Sequence, residues 1–287
     1  MTIEQYKSNS LKALSEGVIA SDIADTDEII SAIVDQKQVD SLAYQICDVQ
    51  TIHGPTGANF SVQYDTKAKV IRNNVQVEDD AIQDTGFTLE VIQDMQRTYG
   101  KDAIQFIGKT FGGMAARKEN DKLISKLADT AYDSGSLTLS DGANAETIAF
   151  EISQKVAEEI LTINEINYKT LDSFVVLPKK GAAAFLALGS YFSDEQNESG
   201  LFIGKKGRIK YYINPVIGDD NVYIGLNSKL PGNSSLIFSP YQHTLITAQD
   251  ADSGETKVFN VNRYAITENS LSSEKTDDKM VRKFSLA

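Results

Sequence analysis

Asp48-Val49-Gln50-Thr51-Ile52-His53-Gly54-Pro55-Thr56-Gly57 is the stretch on which the reading of this chain turns. Pro55 fixes φ, Gly54 and Gly57 permit φ > 0, and the alternating run Asn59-Phe60-Ser61-Val62-Gln63-Tyr64 follows at once. The segment reads as a rigid turn that launches an extended excursion, and no catalytic chemistry accounts for it.

Upstream, residues 1–20 show little pattern and read as an arm. Thr26 can cap a helix whose Ile29, Ile30, Ile33 and Val34 share a face, and Val39, Leu42, Ala43 and Ile46 form a second periodic run. Downstream, 66–86 reads as a hairpin-like excursion. Val75 and Val77 alternate with polar residues, Asn73-Asn74 supplies a turn, and Phe87, Leu89 and Val91 form the returning strand. A short helix then stops at Gly100.

The longest helical stretch runs from about Asp102 to Tyr132, with Asp102 and Gln105 as a capping box. Gly112-Gly113 in its middle signals a bend or the close approach of another backbone. Residues 135–142 read as a loop and Ala145 to Ile163 as a second helix. Phe174 to Leu177 reads as a buried strand ended by Pro178, and Gly181 to Gly189 as an alanine-rich helix. The remainder is β-rich: 208–213, 221–226, 235–238, 245–248 and 257–265. Residues 193–207 read as loop and 267–287 as a weakly patterned tail. Helices and strands mix without regular alternation, so the fold class is α+β.

A chain of 287 residues with 41% hydrophobic and 24% charged residues belongs to the ordinary globular class. It contains no apolar run of about 18 residues, so no membrane-spanning helix is expected. Its N-terminus lacks the basic and apolar regions of a secretory signal, which points to synthesis in a cytoplasm. Cys47 is the only cysteine and reads as a buried small hydrophobe. A net charge of −12 argues against tight sequence-independent binding to DNA phosphates.

The enzyme-like signals are weak. Gly108-Lys109-Thr110 ends like a phosphate-binding loop, but Ala103 stands at its first position and the segment reads as helix interior. His53 and His243 are the two histidines and lie far apart; no Cys/His spacing suits a metal. Asp79-Asp80, Glu158-Glu159 and Asp219-Asp220 read as solvated faces or turns. No cofactor, metal or catalytic residue is expected.

The stretch 48–57 closely resembles a segment of the major capsid proteins of T-even-type tailed phages, and the likeness continues in order along the chain. Phe87-Thr88-Leu89-Glu90, Gln93-Asp94-Met95, Tyr99-Gly100 and Asp102-Ala103 resemble that family's strand, short helix and spine helix. Ser173 to Pro178 with Ala182-Ala183-Ala184, Gly207 to Pro215, Ile237 to Tyr241 and Asn262-Arg263-Tyr264-Ala265 resemble later segments.

The resemblance implies the tailed-phage major capsid fold, with an N-terminal arm (1–57), an extended loop (58–86), and a peripheral domain carrying the spine helix (87–139). An axial domain (140–255) and a peripheral strand with the C-terminal tail (256–287) would complete it. It implies self-assembly into hexamers and pentamers of an icosahedral shell around double-stranded DNA, held only non-specifically. Portal, scaffold or decoration proteins would be further partners, with no membrane. The location would be the virion capsid, assembled in a host bacterial cytoplasm. Val70, Ile71, Val75, Val77, Pro55 and Phe60 would then lie at the subunit interface. The alternatives are an encapsulin-like cargo shell and a nucleotide-binding enzyme using Gly108-Lys109-Thr110. The 29 residues of 58–86 leave no room for the extra domain T-even proteins carry there. Leu14-Ser15-Glu16 fits the context in which such precursors are cut, although an uncut chain is expected.

Overall fold

The computed structural model describes residues 26–53, 56–64, 68–77, 82–167, 172–188, 200–228, 232–249, 255–269 and 279–287. The Glu16 cleavage context and the turn residues Gly54 and Pro55 lie outside them.

The chain is organised along one helix. α1 (Thr26–Asp40), α2 (Leu42–Ile46) and the two-residue β1 (Asp48–Val49) lead into a hairpin of β2 (Thr56–Tyr64) and β3 (Ala68–Gln76). β4 (Ile82–Thr88) and α3 (Leu89–Tyr99) then deliver the chain to α4 (Lys101–Thr130). At 30 residues, α4 is about 45 Å long. Its N-terminal half carries Ile104, Ile107 and Phe111 into a cluster with Ile29, Ile33, Leu245 and Val258. Its C-terminal half carries Leu123, Ile124 and Leu127 into a second cluster with Leu42, Ile46, Phe174, Tyr223 and Phe238. One continuous helix thus ties two hydrophobic clusters together.

α1 lies on α4 at backbone distance. A Cβ on Gly108 would stand 2.4 Å from the Cβ of Ala32, and one on Gly112 would stand 2.7 Å from both Ile33 O and the Cβ of Gln36. Gly113 meets only Asp40 Oδ2, at 3.8 Å. Of the adjacent pair, only Gly112 answers to the expected close approach; the other close glycine is Gly108, one turn earlier. Gly108-Lys109-Thr110 is therefore helix packed against helix.

Beyond α4 come β5 (Tyr132–Leu137), α5 (Ala145–Asn167), β6 (Ser173–Leu177), α6 (Lys179–Ala187), β7 (Phe202–Lys206), β8 (Ile209–Ile213) and β9 (Asn221–Leu226). The long strands β10 (Leu236–Gln249) and β11 (Thr256–Glu268) and the final β12 (Val281–Leu286) complete the chain. The larger sheet has the order β5-β12-β9-β6-β8-β7; the four-stranded sheet has the order β1-β10-β11-β4. α5 and α6 cover one face of the larger sheet, where Ile152, Val156, Phe185, Tyr211 and Ile224 are buried. The opposite face meets α2 and the end of α4. Mixed sheets joined by non-alternating helices give the expected α+β class.

Several local expectations are corrected. Asn73 and Asn74 pair with Asn59 and Ala58 inside the hairpin, so they make no turn. Leu89 and Val91 belong to α3, because Thr88 caps it by accepting from Val91 N at 3.3 Å. The capping box of Asp102 and Gln105 does not form: α4 begins at Lys101 behind Gly100, whose φ of 55° turns the chain. Residues 132–137 and 202–206 are strands, and 236–249 is one strand whose irregularity falls between Pro240 and Gln242, where a proline is tolerated.

The tail supplies the largest difference. β12 sits inside the larger sheet, parallel to β5 and antiparallel to β9, with Val281 and Phe284 buried. The boundaries expected at 140–255 and 256–287 therefore cut across the connectivity. β10 lies in the smaller sheet beside β11, whereas β12 lies in the larger one.

Candidate assembly interface

The decisive stretch does its work through side chains. β1 pairs in parallel with β10, and Gln50 N and Ile52 N continue the ladder to Phe238 O and Pro240 O. The Gln50 side chain then imitates a strand partner. Its Nε2 donates to Phe60 O at 2.8 Å, and its Oε1 accepts from Phe60 N at 2.8 Å. Asp48 Oδ2 accepts from Gln50 Nε2 at 2.6 Å and from Gly232 N at 2.6 Å. Gly57 serves by its size: a Cβ there would stand 3.0 Å from Ile52 Cβ.

The hairpin has two faces because strand side chains alternate. Asn59 and Asn73 are paired in register on the inner face. Asn59 Nδ2 donates to Ser239 Oγ at 3.0 Å and to Thr267 Oγ1 at 2.7 Å, on β10 and β11. Asn73 Nδ2 in turn donates to Asn59 Oδ1 at 3.1 Å and to Ser61 Oγ at 3.2 Å. Asn59 is buried, so each bond answers a polar group that burial would otherwise leave unsatisfied. Val75 and Val77 join Ile52 and Ala265 in a small apolar cluster on the same side.

The outer face is the reverse. Phe60 is 49% exposed and Val70 is 66% exposed. Of the six positions expected at an interface, Phe60 and Val70 stand on the open face and Ile71 is half-buried. Val75 and Val77 are buried against their own subunit, and Pro55 lies outside the described residues. The two valines show the alternation correctly, but alternation alone does not say which face the chain covers.

A buried charged network, not foreseen from the sequence, joins α1, α4 and β11. Lys37 Nζ lies 3.0 Å from Glu119 Oε1 and donates to Asn262 Oδ1 at 3.0 Å, while Asn262 Nδ2 donates to Glu119 Oε1 at 2.7 Å. The available signal was Lys37 itself, standing at spacing four after Ile29 and Ile33 on the buried stripe. A lysine there needs an anion across the packing.

Nearby, a cleft of about 300 Å3 is lined by Lys37, Tyr44, Tyr241, His243 and Arg263 among others. Among the described residues neither His243 ring nitrogen has a partner at full hydrogen-bond geometry, although the Asn262 and Asn260 side chains lie close by. Burial first, and the Lys37 charge second, push its pKa down to about 3, with Asn262 and Asn260 opposing weakly. Cys47 is buried as expected, and burial raises its thiol pKa well beyond the reactive range, the nearby Asp48 and Glu119 charges adding to the effect. Among the described residues no group of three or more His, Cys, Asp or Glu is placed to hold a metal, and no helix is long and apolar enough to cross a membrane.

The architecture is shared with known shell proteins. The subunit of a virus-like particle from Pyrococcus furiosus matches with a TM-score of 0.56 at 13% identity, covering 91% of this chain and 100% of that one. The SrpI encapsulin of Synechococcus elongatus PCC 7942 matches at 0.53 and 10% identity, covering 84% and 85%. A chain of the satellite phage P4 procapsid matches at 0.52 and 8% identity, covering 89% and 99%. At such identities the likeness establishes the fold alone. No curated protein matches the sequence. The model of the family described as major capsid protein Gp23 matches residues 82–286, most of the chain, and this protein therefore belongs to that family of phage shell proteins.

Proposed function

We propose that the chain self-assembles head to tail into hexamers and pentamers of an icosahedral shell that encloses double-stranded phage DNA. Assembly takes place in the host bacterial cytoplasm. The work is association and not catalysis. Portal, scaffold or decoration proteins dock on the assembled lattice, and the packaged DNA is held without sequence-specific contacts. We assign the four-stranded sheet with α1, α3 and the N-terminal half of α4 to the peripheral part, and the six-stranded sheet with α5 and α6 to the axial part.

The observation that carries this reading is the two-faced hairpin. Its inner face is satisfied by Asn59, Asn73, Val75 and their own-subunit partners, and its outer face offers Phe60 and Val70 to solvent. A neighbouring copy that covers this face would bury apolar surface at about 25 cal/mol per Å2. Of the six positions expected at the interface, we retain Phe60 and Val70; Ile71 pairs with buried Ser61 on the inner face.

Negative-stain microscopy of the expressed protein, alone and as a Phe60→Glu/Val70→Glu variant, tests the proposal. Closed particles from the wild type and folded, unassembled subunits from the variant are expected. A wild type that stays monomeric at every concentration would refute the shell, and normal particles from the variant would refute the hairpin's role. Nucleic acid rather than a cargo enzyme should copurify with particles formed in cells.

A further inference from the structure

The hairpin of β2 and β3 forms a two-stranded sheet that, among the described residues, joins neither larger sheet by a main-chain ladder. A lone pair of strands has little stability of its own in water, so side chains must set how it sits on the subunit. On the inner face Asn59 and the cluster of Ile52, Val75, Val77 and Ala265 press it against the body. At the edge of β2 the contact is Gln50.

Gln50 works in two directions. Its main-chain N donates to Phe238 O at 2.9 Å, extending the ladder from β10. Its side-chain amide carries that ladder on to Phe60, donating to the carbonyl and accepting from the N–H, each at 2.8 Å. Because residues of an antiparallel pair alternate in direction, the two Phe60 groups are those that β3 does not use and that a further strand would otherwise take. The amide fits only one way round, oxygen to the N–H and nitrogen to the carbonyl. Asp48 enforces the same orientation. Its Oδ2 takes a hydrogen of Gln50 Nε2 at 2.6 Å and is itself held by Gly232 N at 2.6 Å. Asn269 Nδ2, just beyond β11, donates to Gly232 O at 2.6 Å and to Ser234 O at 3.0 Å. β1, the loop before β10 and the residue after β11 thus converge on one amide that decides where β2 lies.

A main-chain ladder would make β2 a permanent fifth strand. Two side-chain hydrogen bonds, each worth little net in water, can open without unfolding the subunit. The residue they hold is also the one whose ring is offered outward, since Phe60 is 49% exposed. An anchor whose backbone is fixed beforehand loses less entropy on docking.

We propose that Gln50, oriented by Asp48, is a positioning residue for assembly: its amide is a latch that fixes the attitude in which the hairpin presents Phe60 and Val70 to a second copy. This role rests on the reading of that face as the docking face.

The experiment compares full-length wild type with Gln50→Ala, Gln50→Glu, Asp48→Ala and Asp48→Asn. It reads particle yield against protein concentration, thermal midpoint, and amide hydrogen exchange of dissociated subunits resolved by residue. Gln50→Ala removes the latch. Gln50→Glu sets a second carboxylate against Asp48 and removes the donor to Phe60 O. Both should raise the concentration needed for assembly about tenfold while the thermal midpoint holds. Exchange at Phe60 should quicken about tenfold in Gln50→Ala, with Asn59 and Ser61, whose N–H groups face β3, unchanged. Asp48→Ala should behave like Gln50→Ala. Asp48→Asn keeps an oxygen for both Gln50 Nε2 and Gly232 N and should recover most of that loss. Normal assembly of both Gln50 variants, or unchanged exchange at Phe60, would overturn the latch and leave the shell reading intact. Faster exchange at Asn59 and Ser61 with a lowered thermal midpoint would mean a melted hairpin and would overturn positioning as the role. Equal losses in Asp48→Asn and Asp48→Ala would overturn the orienting part of Asp48. Absence of particles from the wild type would fell the shell reading itself.

Discussion

Replacing the spine glycines one at a time by alanine sets two physical effects against each other. Helix propensity alone favours alanine at each site by up to about 1 kcal/mol. At Gly108 and Gly112, however, the added Cβ would stand 2.4 Å and 2.7 Å from atoms of α1, against a comfortable carbon separation of about 3.5–4.0 Å. The obstacles are the Cβ of Ala32, the backbone carbonyl of Ile33 and the Cβ of Gln36, none of which is the end of a flexible side chain. α1 would have to retreat by about 1 Å, loosening Ile29 and Ile33 against Ile107 and Phe111.

Overpacking of this kind costs about 1–3 kcal/mol. Shifting α1 also strains the Lys37–Glu119 pair, whose disruption would add to that cost. Gly108→Ala is therefore expected to destabilise by about 2 kcal/mol net, and Gly112→Ala to act in the same direction. Gly113→Ala, whose Cβ meets only Asp40 Oδ2 at 3.8 Å, should stabilise by up to about 1 kcal/mol. Urea unfolding of dissociated subunits, followed by circular dichroism, measures the three midpoints free of the stabilisation that assembly adds. Equal destabilisation by Gly112→Ala and Gly113→Ala, or stabilisation by Gly108→Ala, would refute the reasoning.

Two further outcomes follow from buried elements. His243 has a folded pKa of about 3 against an ordinary 6.5, so below pH 6.5 the unfolded chain takes up a proton that the folded chain refuses. Stability should fall as pH drops from about 6.5 towards 3, by about 2 kcal/mol between pH 6.5 and 5 from this group, and pH-dependent urea midpoints of His243→Asn should show a correspondingly shallower slope. Removal of residues 279–287 takes an interior strand from the larger sheet and should abolish cooperative unfolding of that half, whereas truncation of a solvated tail would leave the urea transition unchanged.

Much of the fold was legible because its signals are local. The helices 102–132 and 145–163 announce themselves by the spacing of Ile104, Ile107 and Phe111 and of Ile148, Ile152, Val156 and Ile160, and the structure places them at Lys101–Thr130 and Ala145–Asn167. The strand at 221–226 lies at the expected residues, and the solitary Cys47 is buried. The capsid family itself was visible in short motifs whose order along the chain is more specific than any one of them, and the family match over 82–286 agrees.

What the sequence by itself determined, then, is the set of long amphipathic helices and the strand-rich second half, both coded within a few neighbouring residues. Tertiary structure decided which of those faces are spent at home. It turned Val75 and Val77 inward and left Phe60 and Val70 outward, because Asn59 found partners on β10 and β11 some 180 and 208 positions away. It made an interior strand of residues 281–286, matched Lys37 with Glu119, and left Ile217 fully exposed. Each of these outcomes depends on groups that meet only after distant segments pack, and a short strand or a single buried charge carries no periodicity of its own to announce them.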